Sequence, residues 1–258
     1  ELDSITGRIA KQLYQNADIQ IKGFETTDFR DNYFDLAIGN VPFGSYKLSE
    51  KRYDKYNFNI HDHFFAKSLD KVKSGGIIAF ISSKGTLDKK NPDVRKYLAE
   101  RAELAGAIRL PNNAFKANAG TEVTTDIIFL KKRENPIELT QENTPDWVYL
   151  GKTESGLTVN QYFADNPQMV LGKIVSGNKL YGHNDDTMCI PFENSDLKEL
   201  LNKAVSNIQF EISSEKADLS EPENIIQETV EIPQNLKNFS YAVIFRNKGQ
   251  RNQNKGFN

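Results

Sequence analysis

The segment Asn40-Val41-Pro42-Phe43-Gly44 offers the most chemistry in this 258-residue sequence. It follows the apolar run Asp35–Gly39, which reads as a short strand entering a turn. In an open α/β sheet, ligands bind at the carboxyl ends of the strands. An asparagine placed there offers a carbonyl acceptor to an amine. The turn backbone can add a second acceptor, and Phe43 is an aromatic able to stack on a planar base. An aromatic amine attacking a methyl sulfonium needs such an arrangement. Two acceptors on its N–H groups favour a more tetrahedral, more nucleophilic nitrogen. No strong base is required first, because the proton becomes acidic only as the new bond forms. Asn, Pro and Gly also supply ordinary turn geometry, so the turn alone leaves both readings open.

The elements around that turn alternate. Ser4–Tyr14 has Ile5, Ile9 and Leu13 at helical spacing, with Arg8 and Lys11 opposite. Asp62–Lys73 places Phe64, Phe65, Leu69 and Val72 on one helical face, with Gly75-Gly76 as the expected helix stop. Ile77–Ile81 is a continuous apolar run, as in a strand buried on both faces. Asp93–Glu103 reads as a charged helix, and Ala105–Leu110 and Thr124–Lys131 read as strands. This alternation predicts an α/β fold, a largely parallel sheet with helices on both faces. Beyond Glu134 the chain is more polar, with a strand-like stretch at Trp147–Leu150 and a helix at Ser195–Val205 capped by Ser195 or Asn194. Residues 211–235 are rich in Glu, Ser and Pro, and the tail is basic and amide-rich; 211–258 is expected to be a linker and a mobile tail.

Composition excludes several classes. A hydrophobic share of 38% is too high for disorder throughout. No apolar run approaches the roughly 20 residues that span a bilayer, and the opening residues are no signal peptide, so a cytoplasmic location is expected. The single cysteine, Cys189, rules out an intrachain disulfide framework and a multi-cysteine zinc site. His61 and His63 flank Asp62, but His183 is far away in sequence, so capping and packing are expected there and no metal. Net charge is −2, which argues against a generally cationic nucleic-acid binder but leaves local patches open. The basic runs Lys47–Lys55, Lys84–Lys96 and Lys131–Arg133 read as solvated surface before phosphate track.

With these residues in view, FDLAIGNVPFG resembles the Asn-Pro-Pro-aromatic motif of amino-methyltransferases that act on adenine in DNA. Val41 stands where the first proline usually lies; it keeps the backbone carbonyl but loses the fixed φ, which predicts a less rigid loop. The resemblance implies a Rossmann-like methyltransferase sheet of order 3-2-1-4-5-7-6, mostly parallel with a terminal antiparallel strand. It implies Asn40, Val41, Pro42 and Phe43 as the catalytic turn. Glu1-Leu2-Asp3 resembles the acidic end of the second strand, where a carboxylate, that of Glu1, would accept the ribose hydroxyls of S-adenosylmethionine, with Leu2 beside it among the implied cofactor-binding residues. Asp28 and Phe29, in TTDF, resemble the contact to the cofactor's adenine. Phe115, after Ala114, matches an aromatic that stacks on the extruded base opposite Phe43.

The segments HDHFFAKSLDKVKSGGIIAFISSKGTLDK and RLPNNAFKANAGTEVTTDIIFLKKR are similar to methylases of phages and conjugative elements, often fused to helicase-like domains. The implied organisation is a catalytic core over 1–133, a C-terminal extension over 134–210, and the linker and tail over 211–258. Double-stranded DNA is the implied partner, with a helicase-like domain in the full-length chain. The glycine-rich loop of the family would lie upstream of Glu1, so this stretch reads as a fragment lacking the first strand. The edges of the second and fourth strands would then be unpaired, and methyl transfer by the fragment alone is not expected. N4-cytosine, an RNA base or a protein glutamine are alternative amines for the same turn. A catalytically inactive DNA-binding or scaffolding module is the non-enzymatic alternative.

Overall fold

A computed structural model describes residues 1–116, 120, 122–177, 187–208 and 242–245. Helix α1 spans Ser4–Leu13, and the Asp3 carboxylate caps it by accepting the Thr6 N–H at 2.7 Å. Strand β1, Phe34–Asn40, is followed by helix α2, Ile60–Lys71, and strand β2, Val72–Ser83. A one-turn helix, α3 (Gly85–Asp88), and helix α4 (Asp93–Arg101) lead to β3, Ala102–Leu110, and β4, Thr125–Lys132.

Strand β2 pairs with β1 in parallel, whereas β4 is antiparallel to both β2 and β3. The order is β3-β4-β2-β1, so β1, β2 and β3 share one direction and the reversed β4 is inserted between β2 and β3. That is the 4-5-7-6 half of the Rossmann-like methyltransferase sheet. Glu1-Leu2-Asp3 is not part of a strand; it leads into α1.

Two expectations about this sheet fail for identifiable reasons. Gly75-Gly76 does not stop α2, which ends at Lys71; both glycines lie inside β2. The β1–β2 register shifts there, from Phe34↔Val72 to Leu36↔Ile77. Gly75 takes a φ of 74°, and a Cβ on Gly76 would meet the Lys73 and Asp35 carbonyls at 2.8 and 3.0 Å. The glycines permit a bulge and a close backbone approach. The outer edge of β1, expected to be unpaired, carries an antiparallel strand over Ala242–Phe245.

The extension is tied closely to the sheet. Its elements are β5 (Leu150–Lys152), β6 (Thr158–Asn160), α5 (Gln161–Asp165), β7 (Gly172–Ser176), β8 (Thr187–Pro191) and α6 (Leu197–Ser206). Strand β9 is Ala242–Phe245, the described part of 211–258. Trp147 and Val148 lie in a buried 3₁₀ turn rather than the expected strand, since their carbonyls receive Asn160 Nδ2 and Arg95 Nε. The cap of α6 is Asp196, which accepts the Lys198 N–H; Asn194 instead takes a left-handed φ of 53°.

Arg109, on β3, is fully buried where the extension meets the core. Its guanidinium makes two parallel hydrogen bonds to Asp126 at 2.8 and 2.9 Å and faces the Phe163 ring at 4.3 Å. The Asp88 Oδ2 atom lies 2.8 Å from Arg109 Nη1, a close ionic contact without hydrogen-bond alignment. Burial alone would lower the Arg109 pKa, but the two carboxylates outweigh it and raise it. Removing one partner of a buried pair strands the other charge. Arg109→Met is therefore expected to destabilise the fold by about 3–5 kcal/mol, with Arg109→Met/Asp126→Leu/Asp88→Asn, which removes both carboxylates, recovering most of that loss. Urea unfolding of the two variants checks this; equal losses in both would contradict it.

Candidate active site

The turn after β1 is fixed from beneath. The pairing of β1 with β2 runs to Asn40↔Ile81 and continues one residue further, where the Val41 N–H donates to the Ile81 carbonyl at 3.0 Å. The Val41 side chain is fully buried in the core. A proline could not donate that bond, so valine exchanges a fixed φ for a ladder hydrogen bond and an apolar anchor. The expected loss of rigidity is thereby offset at this position.

Next to that anchor, Asn40 Oδ1 is buried and has no hydrogen-bond partner. Phe43 is 39% exposed, at the rim of the same turn. Downstream, the turn rests on the start of α2: the Ile60 N–H donates to the Tyr46 carbonyl at 3.0 Å, and Gly44 packs beside the Tyr46 ring and Ile60. Asp62 closes the helix start by accepting the Asn59 N–H at 3.3 Å and the Lys89 ammonium at 2.6 Å. Asn59 and Asp62 thus do the capping, and the two histidines are packed beside them.

His61 and His63 are both buried. His63 Nε2 donates to Glu50 at 2.8 Å, which leaves Nδ1 without a partner. His61 Nε2 lies 3.4 Å from Asp62 Oδ1 but is not aligned with it, and neither ring nitrogen is hydrogen-bonded. Burial lowers the pKa of both rings, against the raising effect of Asp62 on one and Glu50 on the other. Among the described residues, no group of three His, Cys, Asp or Glu side chains could hold a metal ion. Cys189 is buried, and burial pushes its thiol up to about 12.

The other sequence-derived candidates are placed as follows. The Glu1 carboxylate accepts the Asp3 N–H at 2.9 Å, and Leu2 is 76% exposed. The Asp28 side chain is 92% exposed, with Lys22 at 3.6 Å. Phe29 packs edge-on against Phe34 of β1, with ring centroids 5.2 Å apart. Phe115 is partly buried against the core, in the loop after β3 that is fastened to β8 by the Asn112 N–H donating to the Cys189 carbonyl. A cleft of about 230 Å³ opens in the loop after the turn, lined by Lys47, Tyr53, Asp54, Asn57, Phe58 and His63 among others.

Of the basic runs, Lys47, Lys51, Arg52 and Lys55 are exposed as expected, whereas Arg95 of the second run turns inward. Arg95 is fully buried and donates to the Val148 and Lys89 carbonyls. Arg52 bridges Asp31 and Asp70, and Lys132 reaches the Val72 carbonyl.

The sequence model of the Eco57I restriction-modification methylase family matches residues 2–115. The match takes in Asn40, Asp28 and Phe115. The "Defense against restriction protein B" of Escherichia phage P1 is 32% identical over 148 residues, covering 55% of this chain and 6% of that protein. The chain thus spans a small fraction of that curated relative. Among solved structures, the type I restriction enzyme EcoKI M protein is 20% identical, with a TM-score of 0.42, over 53% of this chain and 32% of its own. A putative class I S-adenosylmethionine-dependent methyltransferase of Listeria monocytogenes is 18% identical, with a TM-score of 0.41, over 55% and 46%. Among the described residues, no helix is long and apolar enough to cross a membrane.

The Val41 N–H bond generates a test. Restoring the proline that the motif usually carries, Val41→Pro, removes a ladder bond and the buried side chain's fit. It is expected to destabilise the fold by about 1–3 kcal/mol in urea unfolding. An unchanged midpoint would mean that the bond to Ile81 does not hold the turn.

Proposed function

We propose that this chain carries the catalytic core of an S-adenosylmethionine-dependent methyltransferase acting on the exocyclic amine of a base in double-stranded DNA, with adenine N6 as the target. One observation carries the reading: the buried, unpartnered Asn40 Oδ1 at the carboxyl end of β1. A buried acceptor left unpaired costs about 1–3 kcal/mol, so it calls for a donor that arrives with a ligand. An extruded base brings such a donor in its amine. Phe43, exposed at the same turn, offers that base a stacking face.

In this reading the amine presents one N–H to Asn40 Oδ1 and the other to the Val41 carbonyl. With both protons held, the nitrogen lone pair turns away from the ring. S-adenosylmethionine supplies an electrophilic methyl group on a sulfonium. The N–C bond forms as the S–C bond breaks, the pair of electrons stays on sulfur, and the nitrogen then releases one proton to solvent. Nothing in this sequence needs His61 or His63, whose pKa values are lowered by burial. Exposed carboxylates suit the nucleoside end of the cofactor, since each accepts hydrogen bonds from hydroxyl or amine groups. Asp28 presents one, beside Phe29, and Glu1 keeps one oxygen beyond its bond to Asp3. Phe115 is assigned to the far face of the base, and a helicase-like domain in the full-length chain belongs to the same proposal.

In the full-length protein, Asn40→Ala should lower methyl transfer by about 100-fold or more while leaving cofactor affinity within about twofold, because an acceptor used in the transition state is removed. Tritium transfer from labelled cofactor to duplex DNA, followed by nucleoside analysis, checks this. N6-methyladenine is the expected product; N4-methylcytosine, or label on RNA or protein, would replace the target. Wild-type turnover in the alanine variant would sink the amine clamp.

A further inference from the structure

Lys67 is a lysine with no exposed surface, on the inner face of α2. Its ammonium lies among four oxygens. It donates to the Glu25 and Thr27 carbonyls, each at 3.0 Å, and to both carboxylate oxygens of Glu50, each at 3.1 Å. The Phe24 ring faces it at 5.2 Å and also packs on Phe64 of α2, with centroids 4.7 Å apart. Glu50 in turn receives His63 Nε2 from the next turn of the helix.

These contacts join two pieces of chain that the sequence keeps apart. One is the 3₁₀ turn Phe24–Thr26 with Thr27, which runs directly into Asp28 and Phe29. The other is the loop that follows the Asn40 turn, held at Glu50. Neither segment is in a sheet, so side-chain contacts must supply what a ladder would supply elsewhere. A charged donor bound to two main-chain carbonyls fixes their position more firmly than neutral partners do.

We propose that Lys67 is a positioning residue for the cofactor. It clamps the Glu25 and Thr27 carbonyls, sets where Asp28 and Phe29 stand, and ties them through Glu50 to the loop beside the base-holding turn. The proposal rests on the methyltransferase reading above. Burial lowers the Lys67 pKa, while the Glu50 carboxylate opposes that and favours the charged form the clamp requires. Lys67 touches neither cofactor nor base in this scheme; it acts through the backbone ahead of Asp28.

The test uses the full-length protein with Lys67→Met and with Lys67→Met/Glu50→Gln. The methionine variant leaves the partly buried Glu50 carboxylate with the His63 N–H but no cation, and is expected to lose stability on that account. The double variant removes the charge and keeps a hydrogen-bonding side chain for His63. It should recover most of the thermal stability, yet still lack a donor for the two carbonyls. In both variants amide exchange over residues 22–29 should quicken. The KM for S-adenosylmethionine should rise by about tenfold or more with kcat at saturating cofactor within about twofold, the signature of lost ground-state binding. A double variant with wild-type exchange over 22–29, or with wild-type KM, would overturn the clamp. A wild-type protein that binds no S-adenosylmethionine would instead sink the methyltransferase reading, and exchange over 22–29 would still judge the clamp on its own.

Discussion

The parallel pairing of β1 with β2 is the constraint on which the rest of the structure depends. It carries the chain to Asn40 and, with one more bond from Val41 to Ile81, fixes the first residue of the turn. A side chain at the end of a paired strand has far less freedom than one in a loop. That restriction lets a buried acceptor stay unpaired, because local rearrangement to satisfy it would break the ladder. The bulge at Gly75-Gly76 serves the same end. By absorbing extra residues of β2 early, it brings Ile77–Ile81 into register opposite Leu36–Asn40.

Charge buried inside the molecule holds what the sheet does not. Lys67, Arg95 and Arg109 are all fully buried, and each takes several oxygens as partners: carbonyls and a carboxylate for Lys67, carbonyls for Arg95, carboxylates for Arg109. Arg and Lys are rarely so deep unless paired. The partners of Lys67 and Arg95 include segments with little regular structure, at Thr27 and Val148, whereas Arg109 joins Asp126 of β4 to Asp88 at the end of the short α3. A neutral hydrogen bond contributes about 1 kcal/mol net, and one to a charged group about twice that. The chain therefore uses cations where a loop must be held in a defined position. The consequence is brittleness, since deletion of either partner leaves an uncompensated charge.

Much of this was legible in the sequence, and the remainder was hidden for a physical reason. Hydrophobic periodicity located α1, α2, β1, β2, β3 and β4, because amphipathic spacing and apolar runs are local signals. The Asn40 turn was legible through residue type and its place after a strand. The bulge was not, because a Gly-Gly pair reads alike as a helix stop or a close backbone approach, and only the register of β1 distinguishes them. Trp147 and Val148 look like strand residues, but their carbonyls are claimed by Asn160 and Arg95, distant in sequence. The run Lys47–Lys55 is exposed as read, but Arg95 of the second run is buried, and a lone sequence cannot show which partner each cation finds. Lys89 finds Asp62, and Arg52 finds Asp31 and Asp70. One pattern was available: Lys67 interrupts the apolar face of α2 between Phe64 and Leu69, where a charge demands a buried partner.

In the proposed reading, stability and function pull in opposite directions at the turn and are separated by one residue. At 41 everything is satisfied: the N–H is paired and the side chain is buried. At 40 the amide oxygen is buried and unpaired, and at 43 an aromatic ring stands partly in solvent. A buried unpaired acceptor and an exposed phenylalanine are both unfavourable for an isolated chain. They become favourable together only when a single ligand supplies an N–H donor and a flat apolar face. Few ligands other than an aromatic amine do both. Since the ladder holds residue 41 in place, the acceptor at 40 is organised before any ligand arrives, which is what the proposed amine clamp requires of it at the transition state.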